Sequence, residues 1–292
     1  MPEPTEEKVM RNITNKPNLF CINTGTLGYQ FAIEDIIKSC GERGIGWISP
    51  WRSELLGKDL KKIKEILDDN NVRVSSLCRS SYYTASTKEL RQKAIDENKR
   101  ALDVAAQLNA TCYMQVVGSL YQGIKDLSVA RSQVKDGISA MLEHSKDVGV
   151  PLAIEALHPM TAGDRSCVTT LKEAIDLCEE LDPSGEYHLG VAIDVYHVWW
   201  DAALFNEIKR AGELERILAF HVSDWKLDTA DLVNDRGMPG EGCIDIKAIR
   251  NQVESTGFDG PVEIEVFSKN HWWKKSLDEI LDVCAASISM YC

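Results

Sequence analysis

The chain has 292 residues, 44% of them apolar and 27% charged, enough to bury a full core and suited to one α/β barrel of about 250 residues. Lys and Arg number 33 against 45 Asp and Glu, a net charge of −12 with no offsetting basic patch, so no nucleic-acid partner is expected. No stretch approaches the roughly 18 continuous apolar residues of a membrane span, so no membrane partner is expected either.

Residues 1–17 read as a tail or outer clasp, polar and acidic at the start and without the charged-then-apolar pattern of a signal peptide. Nine cysteines, an odd number lacking any C-x-x-C pair, read as reduced thiols, and a cytoplasmic location is expected. From residue 18 to 292 short apolar runs alternate with longer amphipathic ones. The short runs are 19–23, 46–49, 73–78, 111–117, 151–157, 189–195, 217–222 and 261–267. Most are rich in Val, Ile or aromatics with little clean polar alternation, as in strands buried on both faces of a parallel sheet. Helical spacing is plain over 88–108 (Leu90, Ala94, Ala101, Leu102, Ala105, Leu108) and 132–148 (Val134, Ile138, Met141, Leu142, Ser145, Val148), and also over 170–181 and 276–288. Eight strand–helix units in series, with no Gly-rich dinucleotide turn after the first, predict a single closed (β/α)8 TIM barrel.

Working residues of such barrels lie at the C-terminal ends of the strands. The last four runs each carry a carboxylate or imidazole where an aliphatic is expected: Glu155, Asp194, His221, and Glu263 with Glu265. A lone buried Glu is more often salt-bridged, and a lone buried His is usually a satisfied core residue. Four on consecutive strands are harder to explain that way, because each buried charge costs several kcal/mol unless paired. Clustering around one divalent cation removes that cost. The expected metal ligands are Glu155, Asp194, His221 and Glu265. Three oxygens and one nitrogen suit six-coordinate Mn²⁺, with Mg²⁺ or Co²⁺ as alternatives, better than a closed tetrahedral Zn²⁺ site. Two open positions would accept a carbonyl and an adjacent hydroxyl of a sugar. Glu263 shares a face with Glu265 but lies deeper, so it reads either with the site or as a barrel-core residue paired with Lys or Arg.

The motifs L-A-I-E (152–155), D-V-Y-H (194–197), H-V-S-D (221–224), D-R-G-M-P-G-E-G-C-I-D (235–245) and E-V-F (265–267) resemble the xylose-isomerase-like barrels. That family includes sugar isomerases, ketose 3-epimerases, inosose dehydratases and a zinc endonuclease. The resemblance implies a sugar or keto-sugar substrate, an enediolate intermediate, and Glu155 and Glu265 as the catalytic carboxylates. It also implies that His158, His197 and Arg236 bind substrate oxygens. Other readings stay open: a loop cap for His158, a loop-anchoring ion pair for Arg236, and a donor orienting Asp194 for His197. A lyase acting on a keto-sugar or keto-inositol would use the same residues, and a non-catalytic sugar-binding barrel is a third reading. The endonuclease's three-zinc site is not expected, since His144 is the first histidine and Gly237 stands at that member's loop histidine. Relatives commonly associate, so a homo-oligomer is expected. Arg52 and Arg79, after the second and third runs, are candidates to hold a carboxylate or phosphate, but with no Gly-rich phosphate loop an unphosphorylated substrate is expected.

Overall fold

The computed structural model describes residues 10–292. The expected barrel is present. Its parallel strands are β1 (Phe20–Asn23), β2 (Trp47–Ser49), β3 (Arg73–Val74), β4 (Ser76–Leu77), β5 (Cys112–Gln115), β6 (Leu152–Glu155), β7 (Gly190–Asp194), β8 (Ile217–Val222) and β9 (Val262–Ile264). Each falls inside one of the runs read from sequence. They follow one another around the barrel, with β1 paired to both β2 and β9. The third run is split. β3 pairs with β2 and β4 with β5, while Ser75 joins both neighbours: its amide donates to the Ile48 carbonyl and its carbonyl accepts from the Thr111 amide. The ring therefore closes through one interrupted strand.

A hidden alternation organises the strands. Phe20, Ile22, Ile154, Ile193, Phe220, Val262 and Ile264 point outward into the core beneath the helices. A separate cluster of small side chains, including Cys78, Cys112, Ala153, Ala192 and Ala219, fills the barrel interior. Polarity does not alternate but size does, because both faces are buried and only the inner one must fit the barrel's narrow axis. All nine cysteines are free, and only Cys243 is exposed.

The four helices read from sequence are present as Lys88–Gln107, Leu127–Val148, Leu171–Leu181 and Leu277–Tyr291. Side chains of Thr87, Asp126, Thr170 and Ser276 cap their first turns, satisfying amides that have no partner within the helix. Gly149, at φ 72°, closes the second of them in the left-handed conformation that disfavours a Cβ, and Pro151 then opens β6. Four shorter helices, Ile33–Glu42, Leu60–Asp69, Leu204–Glu213 and Ile246–Ser255, complete the outer ring. At ten residues each, their periodicity spans fewer than three turns and is hard to see in sequence.

Part of the expected tail, residues 1–9, lies outside the described residues. Beyond it, Ile13 is buried and Arg11 grips the N-terminal end of the barrel. The Arg11 guanidinium donates to Glu254 Oε1 at 2.9 Å and to the carbonyls of Asp259 and Gly260, while its own carbonyl accepts from Arg250. Among the described residues no helix is long and apolar enough to cross a membrane.

Candidate metal centre

Inward-facing positions at the C-terminal ends of β6 to β9 converge. Asp194 and His221 are register partners on β7 and β8, and His221 is in turn opposite Glu263 on β9. Glu155 ends β6, and Glu265 stands just past the end of β9. One donor atom each from Glu155, Asp194, His221 and Glu265 lie within 4.8 Å of one another, and all four residues are buried. No other group of three or more His, Cys, Asp or Glu side chains with this closeness occurs among the described residues.

The donor set fits a cation. Glu155 Oε1 and both ring nitrogens of His221 are buried without a hydrogen-bond partner, an arrangement that costs free energy unless another ligand satisfies them. His221 Nδ1 lies 3.4 Å from Glu155 Oε1, and His221 Nε2 lies 3.4 Å from Glu263 Oε1. Burial alone would lower the His221 imidazole, but Glu263, Glu155 and Glu265 outweigh it and hold it up at about 10. Burial pushes the Asp194 carboxyl up to about 7; Arg236 opposes the rise, while Glu265 and Glu155 add to it. Four carboxylates thus crowd around His221 and Arg236, and without a metal the centre holds protons on His221 and Asp194 that a divalent ion would displace.

Glu263 takes the deeper position expected of it, with a correction to its partners. Among the described residues no Lys or Arg reaches it. Its carboxylate accepts from Ser75 Oγ at 2.7 Å, Asn23 Nδ2 at 2.9 Å and Cys21 Sγ at 3.4 Å. Short polar side chains already supply donors to both of its oxygens. Asn23 ties this floor to the site, since the same Nδ2 also donates to Glu265 Oε1 at 3.0 Å. Its own Oδ1 accepts from Trp51 Nε1 at 2.8 Å. Neither Asn23 nor Trp51 was singled out in sequence, although the polar end of C-I-N after an apolar start was a visible signal for the former.

Arg236 arrives through the long loop after β8. Asp224 organises that loop, accepting from the amides of Trp225, Gly240 and Ile244, so it acts as a loop cap. The Arg236 amide donates to the Phe267 carbonyl, which threads the side chain into the barrel mouth. There Nη1 reaches Asp194 Oδ2 and Glu265 Oε2, each at 3.1 Å, between the rings of Tyr196 and Phe267. Its Nη2 lies 3.1 Å from His197 Nε2.

His197 is buried, its Nε2 lies 3.6 Å from Asp194 Oδ2, and its Nδ1 accepts the His158 amide. Burial and the neighbouring Arg236 hold this imidazole well below its ordinary value, so it is neutral. His158 caps a short turn by accepting from the Met160 amide, and its half-buried ring packs on Trp225 at 4.9 Å. Glu155, His197, Arg236 and Glu265 line one narrow crevice at the mouth together with Trp51, Cys78, Arg79 and Arg165. His158 stands outside that lining.

The molecule is a parallel eight-unit barrel with four ligand-type side chains converging at its mouth, the end at which such barrels carry their working residues. The model of the xylose isomerase-like TIM barrel family matches residues 35–283, and the chain belongs to that family. Among curated relatives, an inosose isomerase of Halalkalibacterium halodurans is 21% identical over 86% of this chain and 89% of its own length. A ketose 3-epimerase of Arthrobacter globiformis is 25% identical over 59% of this chain and 54% of its own. A probable endonuclease 4 of Chloroflexus aurantiacus is 28% identical over 62% and 65%. Among solved structures, protein SMc04130 of Sinorhizobium meliloti 1021 has a TM-score of 0.91 at 44% identity, covering 95% of this chain and 99% of that one. The IOLI protein, described with a binding zinc atom, has a TM-score of 0.79 at 18% identity, covering 94% and 99%.

Proposed function

We propose that this chain is a divalent-metal-dependent sugar isomerase or epimerase that moves a proton on the carbon next to a carbonyl, through an enediolate of the sugar. The observation that carries this reading is the convergence of Glu155, Asp194, His221 and Glu265, with Glu155 Oε1 and His221 Nδ1 buried 3.4 Å apart and without a hydrogen-bond partner. These four would hold the ion, with Mn²⁺ the best match to three oxygens and one nitrogen; the zinc of the IOLI protein makes Zn²⁺ the competitor to test. Bound there, a divalent cation would polarise the substrate carbonyl and ease loss of the neighbouring carbon-bound proton.

The chain's own residues divide the remaining work. Glu265 is held at both oxygens, by Asn23 and Arg236, whereas Glu155 Oε1 accepts no hydrogen bond. Glu155 is therefore the better base and takes the proton; for an isomer it returns that proton to the neighbouring carbon, and for an epimer Glu265 would enter the turnover protonated and give up its proton while Glu155 keeps the one it took. Arg236 and neutral His197 orient the substrate oxygens and stabilise negative charge developing on them. His158, half-buried against Trp225, contacts the outer hydroxyls. The net charge of −12 and Gly237 in the loop favour a sugar over a nucleic acid, and a cytoplasmic homo-oligomer accompanies this reading.

Incubation with Mn²⁺ and a panel of keto-sugars in D₂O tests it. Exchange of one C–H for C–D with an isomer or epimer as product supports the proposal. Loss of water with a new ultraviolet enone band would replace it with a lyase. Purified protein that takes up no metal and exchanges nothing would leave a silent sugar-binding barrel.

A further inference from the structure

Beside the crevice of the metal centre lies a cavity of about 720 Å³, within the ~300–1,000 Å³ range of small-molecule sites. Trp51, Cys78 and Arg79 line both spaces. Three arginines stand on the cavity wall: Arg52 just after β2, Arg79 just after β4, and Arg100 on the helix Lys88–Gln107. In a chain of net charge −12, none of the three forms an ion pair with a carboxylate among the described residues. The acid on that wall, Glu97, instead accepts from Ser81 Oγ and lies 3.9 Å from Lys93.

The arginines are positioned but not neutralised. Arg52 donates only to hydroxyls, Ser81 Oγ at 3.0 Å and Tyr113 at 3.4 Å. Arg79 donates from Nη1 to the Ser80 carbonyl, while its Nε is buried with no partner. The rings of Tyr82 and Trp51 lie 4.6 and 5.9 Å from the Arg79 guanidinium and hold its plane. A guanidinium presents a fork of donors that suits two oxygens of one anion, and a partly buried fork lacking a carboxylate gains most from such a ligand.

We propose that this cavity is a binding site for an anionic oxygen group, a carboxylate or phosphate, at the end of the substrate away from the metal centre, with Arg79 as the main contact and Arg52 and Arg100 in support. The substrate class is then an acidic or phosphorylated sugar. This inference rests on the sugar-enzyme reading of the neighbouring centre and deepens it.

Isothermal titration with D-glucose, D-glucuronate and D-glucose 6-phosphate tests it, in EDTA and again with Mn²⁺, on wild type, Arg79→Gln, Arg79→Lys and Arg52→Gln. At least one charged probe should bind about 10- to 100-fold tighter than glucose. Arg79→Gln should erase that preference; Arg79→Lys should retain part of it, and Arg52→Gln should weaken it. Tighter glucuronate identifies a carboxylate and tighter glucose 6-phosphate a phosphate. Equal affinity for all three probes, no detectable binding of any at about 10 mM, or a preference unchanged in both glutamine variants would overturn the proposal. Should Arg79→Gln fail to fold by thermal melting, Arg52→Gln and Arg79→Lys decide. Anion preference in protein that takes up no metal would mean that the centre was misread and the cavity was not. Full metal uptake without anion preference would mean the reverse.

Discussion

His221 Nε2 lies 3.4 Å from Glu263 Oε1, on the side of the ring away from Glu155, whose Oε1 is 3.4 Å from Nδ1. The deeper carboxylate thus favours the tautomer with its proton on Nε2 and leaves Nδ1 toward the site. Carboxylates behind a ligating imidazole orient it and raise its basicity. Glu263→Gln should weaken metal binding about 10- to 100-fold by titration calorimetry while leaving the fold intact. Unchanged affinity would make Glu263 a filler of the barrel floor.

Removing ligands should separate binding from chemistry. His221→Ala should lower metal content sharply, measured by elemental analysis of dialysed protein. Full occupancy in that variant would make His221 a core residue only.

Glu155→Gln and Glu265→Gln should each keep a wild-type circular dichroism spectrum and lower turnover by roughly 10²–10⁴-fold, the usual contribution of a positioned acid or base. Glu155→Gln should also abolish C–H exchange in D₂O. Wild-type rates in either variant would contradict the assignment.

The site should make stability depend on pH. The folded values of His221, about 10, and Asp194, about 7, both exceed their unfolded ones, so the folded state binds these protons more tightly. Their stabilisation is full below the unfolded values and is lost as pH rises through the folded ones. Between pH 6.5 and 8.5, EDTA-treated protein should lose melting temperature, mainly through His221, with a slope of up to about 1.4 kcal/mol per pH unit, while most of the Asp194 loss falls below pH 7. Added Mn²⁺ should stabilise more at pH 8.5 than at 6.5, because protons compete less strongly for the same atoms. A flat melting profile without metal would contradict this.

The far end of the barrel offers a control. Arg11→Ala removes a pair to buried Glu254 and two carbonyl contacts, so it should cost about 1–3 kcal/mol in denaturant unfolding. Metal affinity should not change, as Arg11 grips the N-terminal end of the barrel and the ligands lie at the other.

Much of the architecture was legible in the chain. Val, Ile and aromatic runs spaced by helix-length segments dictate buried parallel strands, and a charged residue at the end of such a run is costly enough to stand out. Glu155, Asp194, His221 and Glu265 were visible for that reason. Asn23 and Trp51 were not, since a short amide or an indole at a strand end is common and signals nothing without its neighbours.

What the amino-acid order by itself determined was which positions face inward and at which strand ends the ligand-type side chains stand, because a two-residue period is local. Only the tertiary structure decided which inward residues meet across the axis. It set Glu263 behind His221 rather than beside a lysine, brought Arg236 from a distant loop onto Asp194 and Glu265, and opened an arginine-lined cavity next to the crevice. Those contacts depend on how the strands stagger when the ring closes and on how Asp224 folds its loop, and neither is written in any one segment.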